Sequence, residues 1–290
     1  MNIGDIATNE NCSVFLTAEV MPKVYAWDID KLCKVAELNT IMDYGGQRLV
    51  ISNDGKLCIA AAYERFGICA YEINTGDIVW QRKDIKTTQK LRLRPNNNEL
   101  YVCREYGATL ILDCLSGETI TPVRNVGNIW FNTFGEDIIA NTHENIVSWG
   151  KHKIESPTFC FLDTCATPNG ITLSAVNDGL YFYDNDGRLV WEIRPNSGNG
   201  HCLKLAFLEK YNIVLAVLWK DTGEQPYYIL YGINAVNGDI VFEFGLPLMA
   251  SEFSFLCQQE KLICSSGEIF KLSDNEPQLL YNFNWETEQN

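Results

Sequence analysis

The sequence predicts an all-β protein that folds as a single seven-bladed β-propeller of four-stranded antiparallel blades. Apolar residues run in blocks of about four to seven, interrupted by Gly, Asn and Asp, with no sustained helical spacing. A strand, turn and strand unit recurs along the whole chain. It returns on average every ~41 residues, a period typical of propeller blades, so seven units fill the 290 residues. No room is left for a second domain.

The clearest copy of the unit spans residues 67–80, GICAYEINTGDIVW. It reads as an apolar strand, a polar turn closed by Gly76, and a second strand that ends on Trp80. The same spacing from glycine to a bulky aromatic residue recurs at residues 187–191 and 238–242. Because an aromatic residue returns at an equivalent strand position, we expect these side chains to pack between blades.

The repeat divides the chain into seven blades. Their approximate limits are residues 1–38, 39–83, 84–123, 124–157, 158–194, 195–245 and 246–290. In the second blade the expected strands are residues 48–51, 57–62, 68–73 and 78–80. Residues 6–10 resemble the opening of a unit and residues 279–281 its close, which favours a ring that closes without strand exchange between the termini.

Two segments carry a resemblance to a known repeat family. Residues 24–28, VYAWD, and residues 70–76, AYEINTG, followed by Trp80, resemble the quinoprotein-like (PQQ-repeat-like) propeller repeat, with its Ala-x-Asp-x-x-Thr-Gly core and closing tryptophan. The period and residues 53–56, NDGK, also resemble WD40-like proteins, although the chain has a single Trp-Asp dipeptide. The resemblance implies a toroid of blades around a central channel, with binding on its two loop faces.

Charge and composition narrow the function classes. The chain has 23 basic and 37 acidic residues, a formal net charge of -14 at pH 7. This balance argues against nucleic acids and anionic membranes, which are bound through clustered Lys and Arg, and it favours a basic protein partner. No apolar stretch approaches the roughly 18 residues that span a bilayer, and residues 1–5 do not resemble a signal peptide. The eleven cysteines include no C-x-x-C pair. We therefore expect a cytoplasmic protein with free thiols, monomeric on its own.

Motifs that carry chemistry are sparse. The quinoprotein dehydrogenases that the repeat resembles are larger, exported enzymes with calcium and vicinal cysteines, whereas this chain has no adjacent cysteines. Residues 183–187, YDNDG, open like a calcium loop but lack its final carboxylate, so we expect a hairpin turn there. His143, His152 and His201 show no metal-ligand spacing, and no P-loop, nucleophile-elbow or H-E-x-x-H motif is present. The sequence therefore predicts no cofactor, no metal site and no catalytic residue.

A recurring carboxylate is the strongest functional signal. It lies in the loops expected to join the second and third strands, beginning with Glu19, in six of the seven blades. In a propeller these loops share one face with the segments between blades, so the carboxylates would surround one channel mouth and steer a basic ligand. An acidic composition alone would also give acidic loops, and residues 83–90 are a basic exception on this face.

Aromatic residues near these loops complete the predicted binding face. Trp219 lies in the longest insertion, residues 218–228, and long loops on a rigid scaffold often recognise partners. We expect Tyr106, Trp219 and Tyr227 to be the aromatic anchors. The predicted partner-binding residues are Glu64, Arg65, Glu105, Tyr106, His143, Glu144, Asp178, Trp219, Asp221, Glu224 and Tyr227.

Two functions are compatible with this reading. The sequence favours a non-catalytic protein-binding propeller, most specifically an acidic cytoplasmic inhibitor or immunity-type protein that captures a basic protein. The alternative is a propeller enzyme, a lyase or hydrolase, that acts on a small molecule at the channel mouth with Glu or His as the base. Stable stoichiometric capture of a basic protein would indicate the first function, and turnover of a small molecule the second.

Overall fold

Seven sheets of four strands make up the computed structural model. It describes residues 3–19, 22–43, 47–64, 66–95, 97–123, 128–131, 137–141, 146–155, 161–175, 179–194, 200–220, 227–283 and 285. Each sheet is antiparallel and contains four strands that are consecutive in the chain. The helical structure within these ranges is one 3-10 turn, Glu209–Tyr211, and no helix there is long and apolar enough to cross a membrane. The predicted all-β, seven-bladed propeller is confirmed.

We number the sheets as blades 1 to 7 in chain order. Blades 1 and 2 contain β1 (Ile3–Ala7), β2 (Val14–Glu19), β3 (Lys23–Asp28), β4 (Cys33–Asn39), β5 (Leu49–Ile51), β6 (Leu57–Ala61), β7 (Ile68–Glu72) and β8 (Ile78–Arg82). Blades 3 and 4 contain β9 (Thr88–Leu93), β10 (Glu99–Arg104), β11 (Thr109–Asp113), β12 (Thr119–Val123), β13 (Asn128–Phe131), β14 (Asp137–Asn141), β15 (Ile146–Trp149) and β16 (His152–Glu155). Blades 5 and 6 contain β17 (Phe161–Thr167), β18 (Gly170–Ala175), β19 (Gly179–Asp184), β20 (Leu189–Ile193), β21 (Gly200–Leu208), β22 (Ile213–Lys220), β23 (Tyr227–Asn234) and β24 (Ile240–Gly245). Blade 7 contains β25 (Phe253–Leu256), β26 (Lys261–Cys264), β27 (Glu268–Lys271) and β28 (Gln278–Asn282).

The first strand of each blade lies nearest the axis of the ring. First strands of neighbouring blades contact one another, as β1 does with β5 and with β25. The described buried residues form seven hydrophobic clusters, one at each interface between adjacent blades. The core is therefore a set of interfaces around a channel, and each blade is stabilised by its two neighbours.

The aromatic residues of the repeat pack between blades, as their spacing predicts. Trp80 at the end of blade 2 donates its indole N–H to the Cys114 carbonyl oxygen of blade 3 at 3.0 Å. A Cβ added to Gly117 would lie 2.6 Å from the Trp80 ring, and Gly117 has a φ of 72°. The glycine therefore allows both the left-handed turn and the close approach of the indole. Trp191 of blade 5 packs in the same way against blade 6.

The ring closes between blades 7 and 1 without strand exchange. Residues beyond β28 fill the interface instead, since Trp285 lies 4.8 Å from Trp27 between ring centroids and stacks on Phe283 at 5.1 Å. The Trp285 indole N–H donates to the Ser265 carbonyl oxygen at 2.8 Å. The carboxylate of Glu10 accepts backbone N–H bonds from blade 7. The seam is thus held by aromatic packing and hydrogen bonds between side chains and backbone.

Candidate functional site

The loops of the ring fall on two faces because neighbouring strands run in opposite directions. We call the junction face the one with the loops joining second to third strands and the segments joining blades. The turn face carries the loops joining first to second and third to fourth strands. Glu64 of blade 2 and Glu105 and Tyr106 of blade 3 lie between the second and third strands of their blades. These predicted binding residues are therefore on the junction face.

The structure describes five of the predicted binding residues. Glu64, Glu105 and Tyr106 are exposed on the junction face. Trp219 and Tyr227 are not in a loop, because the β22 and β23 ladder continues as far as the Lys220 to Tyr227 pair, and both are half-buried. Tyr227 also packs against the core between blades 5 and 6. Outside the described residues lie Arg65, His143, Glu144, Asp178, Asp221 and Glu224.

Residues 83–87, which connect blades 2 and 3, tie two of the binding loops together. The Thr87 backbone N–H donates to the Tyr63 carbonyl oxygen at 2.7 Å, and the Glu105 N–H donates to the Thr87 carbonyl oxygen at 2.9 Å. Thr87 has a left-handed φ of 58°, and Ile85 anchors the segment in the core. The second-to-third loops of blades 2 and 3 are therefore held in one backbone frame.

The two loops and the segment between them expose both aromatic and charged side chains. The side chain of Phe66 is 51% exposed and that of Tyr106 is 69% exposed. Lys83 and Lys86 are exposed on the segment between the two loops. The sequence pattern did not predict the exposure of Phe66, because an apolar residue beside a strand usually belongs to the core. We call this set the junction patch, and its members are Glu64, Phe66, Lys83, Lys86, Glu105 and Tyr106.

A second candidate site lies in the central channel, which contains a cavity of ≈ 370 Å³. First strands of blades 1, 2, 3, 4, 6 and 7 line this cavity, and turn-face loops, among them residues 9–11, form its rim. Its charged lining includes Asp5, Arg92 and Lys204. The channel cavity thus opens on the face opposite to the junction patch.

β-Bulges help to position two of these charged side chains. In β1 the pairing register shifts between Ile3 and Asp5, and in β21 it shifts between Cys202 and Lys204. A bulge interrupts the alternation of side chains along a strand and re-aims those that follow. Neither bulge is evident from the apolar pattern of the sequence, which is why the channel charges were not predicted.

Asp5 is the most deeply buried charge of the channel cavity. Its side chain is 3% exposed and accepts a hydrogen bond from the Arg48 backbone N–H at 3.0 Å, so it links blade 1 to blade 2. Burial raises the pKa of Asp5 to about 6, although Lys204 and Arg92 act in the opposite direction. Desolvation therefore outweighs the attraction of the nearby cations.

Other titratable groups surround the channel cavity. Burial raises the pKa of Glu252 to about 7, with Asp5 adding to the shift. Burial lowers the pKa of Lys90 to about 8, and Arg92 contributes in the same direction. Asp163 accepts the Leu205 backbone N–H at 2.8 Å, which repeats in blade 5 the link that Asp5 makes in blade 1. Among the described residues, no group of three His, Cys, Asp or Glu side chains could hold a metal ion.

Comparison with known proteins identifies the fold. The chain is similar to the β-propeller domain of Cps50 (Swd1) from Myceliophteria thermophila, with a TM-score of 0.69 and 11% sequence identity over 91% of this chain and 92% of that one. At this identity the similarity shows the fold alone, a β-propeller. No protein-family model matches the chain, and no curated protein matches its sequence. The similarity to quinoprotein-like repeats is not confirmed.

Proposed function

We propose that the protein is a non-catalytic binding protein that holds a protein partner on its junction face. The observation that carries this proposal is the junction patch, in which one backbone frame presents Phe66 and Tyr106 to solvent. Exposed aromatic side chains on a rigid scaffold are typical of protein interfaces, where they serve as anchors. A rigid frame also lowers the entropic cost of binding, because the loops are already ordered.

The charge of the molecule favours a basic partner. The net charge of -14 produces a negative potential that attracts a basic protein, and Glu64 and Glu105 add to it at the junction patch. Lys83 and Lys86 lie between them, so a partner with matching acidic residues at its centre would dock in one orientation. In its most specific form, we propose an acidic cytoplasmic inhibitor of the immunity type, for which fast capture of a basic target is the physical requirement.

A residue-specific photo-crosslink tests which face binds. A photoreactive phenylalanine analogue is placed at Tyr106 or, as the control, at Leu115, which is 44% exposed on the turn face of the same blade. We expect a protein to be crosslinked in cells from position 106 and not from position 115. Crosslinking from position 115 alone would place the binding site on the wrong face.

The captured partner then allows a test of its charge. We expect the double variant Glu64→Lys and Glu105→Lys to slow association about tenfold at low salt, and the wild-type rate to fall as salt rises. The matched control, Asp77→Lys and Glu118→Lys, makes the same change in net charge on the turn face of the same two blades. Equal effects of the two pairs would show that overall charge alone matters. A stable stoichiometric complex supports binding, and turnover of a small molecule would support an enzyme instead.

A further inference from the structure

The channel cavity has features of a ligand site that the proposed partner binding does not use. Its ≈ 370 Å³ is within the size range of pockets for small molecules. Half-buried apolar side chains of Val50, Leu93 and Phe131 line it together with the charged groups. An apolar wall with a few converging polar groups is the usual composition of a small-molecule pocket.

Among the described residues, no carboxylate forms a close ion pair with either cation of this cavity. Lys204 is half-buried, and its ammonium forms no hydrogen bond or ion pair with any residue that the structure describes. Arg92 donates to the Leu91 carbonyl oxygen at 2.9 Å and to the Gln47 side-chain oxygen, and its guanidinium is paired with none of the described acids. Partly desolvated cations without a contacting counter-ion are costly, so an anion that enters the cavity and contacts them would stabilise both.

The two nearby acids, Asp5 and Glu252, do not take the position that an anion would occupy beside the cations. Asp5 interacts electrostatically with both cations, but one of its carboxylate oxygens already accepts the hydrogen bond from the Arg48 backbone N–H. Glu252 interacts electrostatically with Asp5 and Lys204 but makes no close ion pair with a described residue. Burial raises the pKa of Asp5 to about 6 and that of Glu252 to about 7, so both carboxyls take up a proton in mildly acidic solution. A protonated carboxyl can donate a hydrogen bond to an anion.

We propose that the channel cavity binds a small carboxylic acid with an apolar body, whose carboxylate lies between Arg92 and Lys204. The planar guanidinium of Arg92 suits a carboxylate, and Val50, Leu93 and Phe131 provide contacts for the apolar part. A dianionic phosphate fits less well, because it would lie close to the carboxyl of Asp5. The site is separate from the junction patch and opens on the turn face.

Isothermal titration calorimetry with 4-phenylbutyrate tests the proposal. The wild-type protein should bind one equivalent, and Lys204→Met and Arg92→Gln should each weaken binding about tenfold or more. Lys153→Met, which removes an exposed lysine outside the cavity, should bind as the wild type does. The neutral analogue 4-phenylbutan-1-ol should bind at least about tenfold more weakly than the acid. Thermal unfolding of each variant checks that it is folded. If one of the two cation variants does not fold, the other still tests the proposal.

The pH dependence of the affinity for 4-phenylbutyrate is a second test. It would not change if Asp5, Arg92 and Lys204 had only a structural role. Lys204 on β21, Arg92 on β9 and Glu252 before β25 are the charged groups that act on Asp5 or share its surroundings. A bound carboxylate favours protonated Asp5, so affinity should rise by up to about tenfold as the pH falls from about 7.5 to about 5.5. In Asp5→Asn this rise should be smaller.

Several outcomes would overturn the proposal. They are equal affinity of the wild type and both cation variants, equal binding of the acid and the alcohol, and no saturable binding of the acid below about 10 mM. Tighter binding of inorganic phosphate than of 4-phenylbutyrate would also reject a carboxylic acid as the ligand. The variant with Glu64→Lys and Glu105→Lys should bind 4-phenylbutyrate normally, which separates failure here from failure of the partner proposal.

Discussion

On the turn face, the carboxylate of Asp113 accepts the backbone N–H groups of Leu115 and Ser116 at 2.9 and 2.8 Å, so a turn of blade 3 satisfies its own polar groups. On the junction face, the Glu105 side chain of the same blade is exposed, and its loop is positioned by backbone bonds to the segment from blade 2. The first arrangement is local in sequence. The second depends on which blades become neighbours.

This difference separates structural from functional positions. Asn234 of blade 6 repeats the role of Asp113 by accepting the N–H of Val236 at 2.9 Å, because an Asp or Asn side chain can satisfy backbone groups of its own turn. The described junction-face loops of blades 2 and 3 instead leave charged and aromatic side chains exposed. We therefore expect substitutions on the turn face to change stability and substitutions on the junction face to change binding.

The largest expected effect is on the turn-face packing of Trp191. This side chain is 7% exposed, stacks on Phe182 with ring centroids 5.3 Å apart, and donates to the Ala235 carbonyl oxygen. Trp191→Ala should lower the free energy of unfolding by about 3–5 kcal/mol, measured by urea denaturation. Leu189→Ala, on the same strand but 49% exposed, should change it by less than about 0.5 kcal/mol. Similar losses for the two variants would contradict the packing role.

The next effect concerns a buried acid rather than an exposed one. The pKa of Asp5 is about 6 in the folded protein against an ordinary value of 3.8, so the folded state binds the proton more tightly than the unfolded state. Stability should therefore fall as the pH rises from about 3 to about 7, by about 3 kcal/mol from this group. Asp5→Asn removes the titration while keeping an acceptor for the Arg48 N–H.

Denaturation of both proteins at a series of pH values checks this. The free energy of unfolding of the wild type relative to Asp5→Asn should decrease across that range and then level off above about pH 7. Parallel pH profiles of the two proteins would show that Asp5 does not titrate as a buried acid. Glu64→Gln, an exposed junction-face control, should leave the profile of the wild type unchanged.

The sequence predicted the local features of the fold well and predicted poorly the features that depend on which strands become neighbours. The turn with Gly76 and the seven-fold repeat were predicted because turn chemistry and strand patterning are local properties. The channel charges were missed because Asp5 and Lys204 are far apart in sequence, and bulges alter the register of both strands. Trp219 was expected in a loop, since the sequence does not show how far a ladder will continue. The proposal that the recurring loop carboxylates surround one channel mouth stays a prediction.

A smaller effect distinguishes the glycines of equivalent turns. Gly117 and Gly150 both follow a third strand with positive φ, 72° and 52°, but only a Cβ on Gly117 would meet the Trp80 ring. A Cβ on Gly150 would meet nothing within 4 Å. Both alanine variants carry the cost of a left-handed residue, about 1 kcal/mol, and Gly117→Ala should cost about 1–3 kcal/mol more. Equal losses in thermal or urea unfolding would mean that the indole moves away easily.

The smallest effect on stability belongs to the junction patch. Tyr106 is 69% exposed, so Tyr106→Ala should change the free energy of unfolding by less than about 0.5 kcal/mol. If Tyr106 anchors the partner, the same variant should raise the dissociation rate of the complex at least about tenfold, because interface anchors act mainly on dissociation. Leu115→Ala on the turn face of blade 3 is the control and should leave dissociation unchanged. A Tyr106→Ala protein that is destabilised by more than Leu115→Ala, yet dissociates at the wild-type rate, would reverse the roles assigned to the two faces.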